Sequence, residues 1–175
     1  ETLCICGAGT MGSGIALAAA QNGLKVILYD LDPARIPRAR LQIEKDLQEQ
    51  VEKKRIGAGE KEDILQRIRF TSTINECRAG IIIEAIAENT EAKVARFKEL
   101  DKVNGPPTIF ASNTSSLSIK NIADQTAFPE RIIGMHFFNP ANRMKLVEIV
   151  KTDHLGDESI QQIRGLAVRM GKTPV

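Results

Sequence analysis

His136 and Glu148 are the side chains with which chemistry could start. His136 is one of two histidines in the chain and stands in GMHFFNP, directly after the apolar run RII. Twelve residues later, Glu148 is a lone carboxylate between apolar neighbours in KLVEIV. A buried, unpartnered carboxylate is very costly, so such a strand calls for a cation or a hydrogen-bond donor nearby. An imidazole across a hairpin would meet that need. A carboxylate on one ring nitrogen fixes the tautomer and makes the other nitrogen the better base. The pair could then take up and return a proton; a purely structural His–Glu ion pair is the plainer alternative.

A second polar cluster lies upstream. ASNTSSLSI, from Ala111 to Ile119, follows the strand-like TIF and carries Ser112, Asn113, Thr114, Ser115 and Ser116 in a row. Capping the following helix needs one such residue, not five. Hydroxyls lining a site are therefore the favoured reading.

The third constellation is at the amino end. Gly7, Gly9 and Gly12 form G-x-G-x-x-G after the apolar run LCIC, and Thr10 and Met11 open the helix-like stretch that follows. In this setting the first glycine allows a sharp turn, the second lets a pyrophosphate approach the backbone, and the third lets helix and strand pack closely. The helix start then offers N–H groups and a partial positive charge to phosphates. Asp30, 23 residues after Gly7, ends the next apolar run, KVILYD. A carboxylate there can accept both hydroxyls of an adenosine ribose and would repel a 2′-phosphate, which favours NAD; Arg35 keeps NADP open. The bland alternatives are a tight turn and a solvated strand end.

These residues need a scaffold that brings them together. LCIC, KVILYD, IIIEAIA, TIFAS, RIIGMHF and KLVEIV read as strands, with helical stretches between them, including Glu91 to about Val103, Ser118 to Ala123 and Glu158 to Met170. From about 36 to 69 the pattern is a long charged helical hairpin, with Ile36, Ile43, Leu47 and Val51 on one face, Leu41 off it, and Ile64, Leu65 and Ile68 in the second arm. Alternating strands and helices imply an α/β, doubly wound, mostly parallel sheet of the Rossmann kind, with this hairpin inserted. His136 then falls near the carboxyl end of its strand, where open α/β sheets place their ligands.

The length of 175 residues suits one domain. Net charge is +2 with both signs interspersed, so no basic field points to nucleic acid or membrane. No apolar run approaches the roughly 18 residues that span a bilayer. Cys4, Cys6 and Cys77 lack disulfide spacing, which points to a reducing, cytoplasmic setting. Cys4 and Cys6 alternate on one strand and read as small buried side chains sooner than as a metal or redox pair. A start at Glu1 and a stop at GKTPV, where a new apolar segment begins, suggest a piece of a longer polypeptide.

Taken in order, GAGTMGSGIA, EAIAEN, ASNTSSLSI, GMHFFNP and KLVEIV resemble the NAD-binding domain of the L-3-hydroxyacyl-CoA dehydrogenases, from Leu3 to the last residue. The resemblance implies oxidation of a 3-hydroxyacyl-CoA to the 3-ketoacyl-CoA, or its reversal, with NAD. It makes His136 the general base, Glu148 its orienter and Ser115 a hydrogen-bond partner of the substrate oxygen. It places Asp30 on the adenosine ribose, and Glu88, Lys93, Asn113 and Asn139 along the cofactor with the Gly-rich turn. The hairpin becomes an arm over the coenzyme A moiety, with Lys54 near it; a solvated basic face is the alternative for Lys54. The resemblance also implies an absent C-terminal helical domain that supplies a catalytic asparagine, covers the acyl site and forms a homodimer. ANRM departs from the family's V-P-V-M type of segment and bears on acyl-chain preference. Two other readings stand beside this one: a dehydrogenase of free hydroxy or sugar acids, and a non-catalytic NAD-binding relative.

Overall fold

The computed structural model describes residues 1–175. Its strands are β1 (Thr2–Cys6), β2 (Lys25–Tyr29), β3 (Ile68–Thr71), β4 (Ile81–Glu84), β5 (Ile109–Ser112), β6 (Ile132–Phe137), β7 (Leu146–Val150) and β8 (Thr173–Pro174). The helices are α1 (Thr10–Gln21), α2 (Arg35–Glu52), α3 (Ala58–Gln66), α4 (Thr90–Val103), α5 (Ile119–Asp124) and α6 (Asp157–Arg169). One sheet runs β3-β2-β1-β4-β5-β6-β7-β8. Pairing is parallel as far as β6, β7 turns antiparallel to β6, and β8 lies parallel to β7. This is a doubly wound, Rossmann-like α/β fold.

Apolar layers cover both sheet faces, as parallel strands require. On one side Ile5, Leu28 and Ile83 pack with Ile15 and Leu17 of α1, Ile43 and Leu47 of α2, and Ile163 and Leu166 of α6. On the other, Cys4, Cys6 and Cys77 join Ile82, Phe97, Phe110 and Ile122. Each such aliphatic or aromatic side chain contributes roughly 1.5–3 kcal/mol when fully buried. Burial is the main influence raising the Cys6 thiol above its ordinary range; a hydrogen bond with Cys77, and burial after it, raise Cys4. These cysteines are core side chains.

The strand order reverses between β1 and β4. β2 and β3 extend the sheet on one flank, and the chain then returns to the other side of β1. In open α/β sheets the crevice outside the strand ends at such a point takes the ligand.

Three sequence expectations need correction. The helical hairpin does not run to residue 69: α3 ends at Gln66, and Ile68–Thr71 form an edge strand on β2. Ile64, Leu65 and Ile68 fit a helical stripe, but in IRFT the apolar Ile68 and Phe70 alternate with the polar Arg69 and Thr71, as a strand allows. The strand at IIIEAIA stops at Glu84, after which the chain leaves the sheet. Glu148 is not enclosed: its side chain is 48% exposed, because Leu146, Glu148 and Val150 form the open face of β7.

Candidate active site

The Gly-rich turn is built by steric exclusion. Gly7 has φ +114°, in the region that favours glycine, and a Cβ there would sit 2.6 Å from the Ala85 carbonyl oxygen. A Cβ on Gly12 would fall 1.7 Å from the Gly7 carbonyl oxygen. At Gly9, by contrast, a Cβ would meet nothing within 4 Å. Two glycines thus let the chain pack on itself, and the third keeps a surface open. α1 starts there without a side-chain cap and with no acidic residue in its first turn, so its first N–H groups have no side-chain acceptor. An anionic group suits that end.

Asp30 follows β2 and is 8% exposed, not a solvated strand end. Its Oδ2 accepts the Ala8 N–H at 2.9 Å and its Oδ1 accepts the Asp32 N–H at 2.9 Å. The carboxylate therefore anchors the Gly-rich turn, and each oxygen retains a lone pair for a ribose hydroxyl. The open surface at Gly9, the uncapped helix and this carboxylate fit a dinucleotide.

His136 lies in β6 directly opposite Glu148 in β7. Its Nδ1 is 3.6 Å from Glu148 Oε1, within ion-pair reach and longer than a hydrogen bond. The ring rests against Phe138, with centroids 4.6 Å apart. With Nδ1 turned to Glu148, Nε2 is the nitrogen left to meet a reactant.

The polar row Ser112–Ser116 is largely engaged. The Ser112 hydroxyl donates to Glu84 Oε1 at 2.6 Å. Asn113 Oδ1 accepts the Phe137 N–H at 2.8 Å, which ties this loop to the residue beside His136. The Thr114 and Ser116 hydroxyls donate to Glu88 Oε2 at 2.6 and 3.1 Å. Ser118, outside the row, caps α5. Ser115 is exposed, and its hydroxyl has no partner within the chain. The row is thus a mount that presents one hydroxyl.

A cavity of about 290 Å³ gathers Met11, Glu88, Asn113, Ser115, His136 and Asn139, with Ala85, Ile86, Phe137 and Phe138 as apolar wall. It opens where the Gly-rich turn, the carboxyl ends of β4 and β5 and the end of β6 converge. A larger cleft, about 860 Å³, lies by Thr2, Lys25 and Arg67, at the amino-terminal ends of β1 and β2. It holds none of these residues and only two hydrophobic ones, Val26 and Ile27, so the smaller cavity is the chemically equipped one.

Other expected site residues lie elsewhere. Glu148 stands behind His136, and Asp30 holds the far side of the Gly-rich turn. Lys54 is exposed just beyond the end of α2, with φ +58°. Lys93 is not on the wall: its side chain is 1% exposed and its ammonium is paired with Glu84 and, at 3.1 Å, with Glu88 Oε1. Burial pushes the Glu88 carboxyl up, but hydrogen bonds from Thr114 and Lys93, with the Lys93 charge, outweigh this and hold it below the usual glutamate range.

Glu84 is the residue that sequence reasoning missed. It is fully buried, and its carboxylate accepts from Ser112, from the Ile86 N–H at 2.7 Å and from Lys93. The signal was present: IIIE puts a carboxylate at the end of an all-isoleucine strand, the pattern that demands a partner.

Residues 2–175 match the family model described as "3-hydroxyacyl-CoA dehydrogenase, NAD binding domain". The chain is 44% identical over its whole length to a probable 3-hydroxybutyryl-CoA dehydrogenase of Bacillus subtilis, 61% of which it covers. It is 40% identical to the 3-hydroxyadipyl-CoA dehydrogenase of Escherichia coli, again over its whole length but only 37% of that protein. The crystal structure of (S)-3-hydroxybutyryl-CoA dehydrogenase from Ralstonia eutropha superposes with a TM-score of 0.96 at 36% identity, over 99% of this chain and 62% of that one. The chain thus spans between about a third and three fifths of these relatives. A Gly-rich turn with a ribose-ready carboxylate, a histidine at the end of a sheet strand and a full-length match lead to one assignment: the chain belongs to the 3-hydroxyacyl-CoA dehydrogenase family, as its NAD-binding domain.

Proposed function

We propose that the protein interconverts L-3-hydroxyacyl-CoA and 3-ketoacyl-CoA, with His136 as general acid and base and Glu148 as its orienter. The observation that carries this reading is the facing of His136 and the unpartnered Ser115 into one cavity that also reaches Met11 of the Gly-rich turn. The names of the relatives support the substrate class.

In the oxidative direction His136 takes the proton of the 3-hydroxyl. Ser115 donates a hydrogen bond to the same oxygen, and Glu148 holds the ring and balances the charge that develops on it. In the reductive direction His136 begins protonated and returns the proton. NAD, when bound, supplies the acceptor for the hydride leaving the same carbon. Met11, Thr10 and the α1 amino end would hold its phosphates, Asp30 its ribose, and Glu88, Asn113 and Asn139 the part reaching the cavity. Proton transfer of this kind contributes roughly 10²- to 10⁴-fold, provided donor and acceptor are within hydrogen-bond reach.

The exposed ammonium of Lys54 supports a contact with the anionic coenzyme A moiety over the arm. The greater length of the relatives supports a further segment in the complete protein; that this segment is helical and forms a homodimer is what the family resemblance implies. The test is reduction of acetoacetyl-CoA by NADH, followed at 340 nm, with protein extended past Val175 and with residues 1–175 alone. Turnover by the extended protein, with NADH binding but little turnover by residues 1–175, is expected. Activity only on free hydroxy acids, or no turnover by either, would overturn the reading.

A further inference from the structure

We infer that Lys172 is a positioning residue for the reaction: its buried ammonium fixes the turn from Asn139 to Lys145, and with it the cavity wall beside His136. The inference rests on the proposed use of the cavity and adds a residue that does not line it.

This turn follows β6 and returns the chain to β7, where Glu148 faces the imidazole. Asn139, at its start, stands on the cavity wall. Inside the turn the Arg143 and Met144 N–H groups donate to the Pro140 carbonyl oxygen at 3.0 and 2.9 Å. The carbonyl oxygens of Ala141, Met144 and Lys145 find their donors where α6 gives way to β8. Lys172 Nζ donates to Ala141 and, at 2.7 Å, to Met144, and the Thr173 N–H donates to Lys145 at 2.7 Å. α1 closes another side: Ala141 is 2% exposed, and a Cβ added at Gly14 would sit 3.2 Å from the Ala141 Cβ. Ahead of the turn, Asn113 Oδ1 accepts the Phe137 N–H. Asn139 is therefore clamped from both directions along the chain, by Asn113 before it and by Lys172 after it.

Stability alone does not call for a lysine at this place. Lys172 is buried, and its acceptors are neutral carbonyl oxygens rather than a carboxylate. Burial, and after it the charge of Lys145, hold its pKa below the usual lysine range. A methionine of similar length would avoid the cost of burying a charge. It could not hold two backbone carbonyls, three residues apart, at fixed positions. Fixing the turn is what the ammonium adds.

The test compares Lys172→Met, Gly14→Ala and a control, Leu100→Ala, in the extended protein. Leu100 is buried near the far end of α4, so its loss opens a core cavity and lowers Tm without reaching the turn. Tm, the NADH dissociation constant, amide hydrogen exchange at Arg143 and Met144, and kcat on acetoacetyl-CoA are measured, the last three well below every Tm. In K172M the two amides should exchange at least about ten-fold faster, because the turn opens locally. Its kcat should fall about ten-fold, the scale of effect expected when positioning slips by a fraction of an ångström. NADH affinity should stay within about three-fold, since the Gly-rich turn and Asp30 are left in place. G14A presses on the same turn from α1 by a few tenths of an ångström and should lower kcat about three-fold. It decides the matter alone if K172M does not fold. L100A should keep kcat within about two-fold of wild type despite its lower Tm. Unchanged amide exchange or wild-type kcat in K172M, or wild-type kcat in G14A, overturns the inference. So does a kcat loss in L100A equal to that of K172M, or an NADH affinity that falls as far as kcat. Wild-type protein that binds NADH without turning over acetoacetyl-CoA would sink the proposed activity, while the exchange rates would still decide whether Lys172 holds the turn.

Discussion

Adding one methyl group at each of two glycines in the same turn should give opposite results. In Gly12→Ala the new carbon falls 1.7 Å from a backbone oxygen, where ordinary contact begins near 3.4 Å. α1 and the Gly7 turn must therefore separate by more than an ångström, and neither side is a flexible side-chain tip. Overpacking usually costs about 1–3 kcal/mol, and a backbone-on-backbone clash belongs at or above the top of that range. For a domain of this size, about 3 kcal/mol lowers Tm by roughly 6–12 °C. In Gly9→Ala the new carbon meets only open space, and φ is −80°, so no strain arises. Alanine is a poorer N-cap than glycine, but it restricts the unfolded chain, and the two effects, each of roughly 0.5–1 kcal/mol, oppose one another. Thermal unfolding should place Gly9→Ala within about 2 °C of wild type, while NADH fluorescence titration shows at least a ten-fold loss of affinity. Gly12→Ala should lose stability and binding together. A Gly9→Ala variant that binds NADH normally, or a Gly12→Ala variant with wild-type Tm, would refute the division of labour in this turn.

Glu148→Gln should lower kcat about ten-fold or more with NADH affinity unchanged, since its carboxylate pairs with His136 and lines no part of the cavity; a loss of NADH affinity of the same size would contradict that. Asp30→Asn keeps one acceptor oxygen where two N–H groups need one each, so it should both loosen the Gly-rich turn and narrow the gap between NADH and NADPH affinities, read by parallel titrations. Glu88 has a folded-state pKa below its unfolded value, so its stabilising contribution is complete above the ordinary glutamate range and disappears as pH falls through the lower value. NAD affinity should therefore show no loss attributable to Glu88 between pH 8 and about 5; a Glu88→Gln variant that flattens a decline within that range would show the sign to be wrong.

Features confined to a short stretch of chain were legible in the sequence. The glycine spacing, Asp30 at a strand end and the strand carrying His136 are local patterns, and their order along the chain pointed to a doubly wound sheet. Features that need three elements at once were harder to see. The family resemblance alone places Lys93 along the cofactor; what no local pattern shows is that its ammonium is buried, with partners from β4 and the following loop. The rule that a carboxylate among apolar residues must be paired was applied to Glu148, which is half exposed, and not to Glu84, which is fully buried. What separates them is position in the sheet: β4 is central, while β7 has only the two residues of β8 beyond it. Ile68 was misplaced because a four-residue strand is too short for alternation to outweigh a helical spacing that it also satisfies.

The antiparallel step from β6 to β7 sets a rule for how this sequence can vary. Because side chains alternate along a strand, inserting one residue between Phe137 and Leu146 and letting β7 slide would put Val147 across from the imidazole and turn the acid to the other face. The buried Lys172 ammonium, bonded to the carbonyl oxygens of Ala141 and Met144, ties down that connection from the far end of the chain through backbone atoms alone. The stretch Asn142–Arg143 is therefore free to change its side chains and so to tune what it meets. Its length is not free, and lineages of this protein should tolerate replacement there far more readily than insertion or deletion.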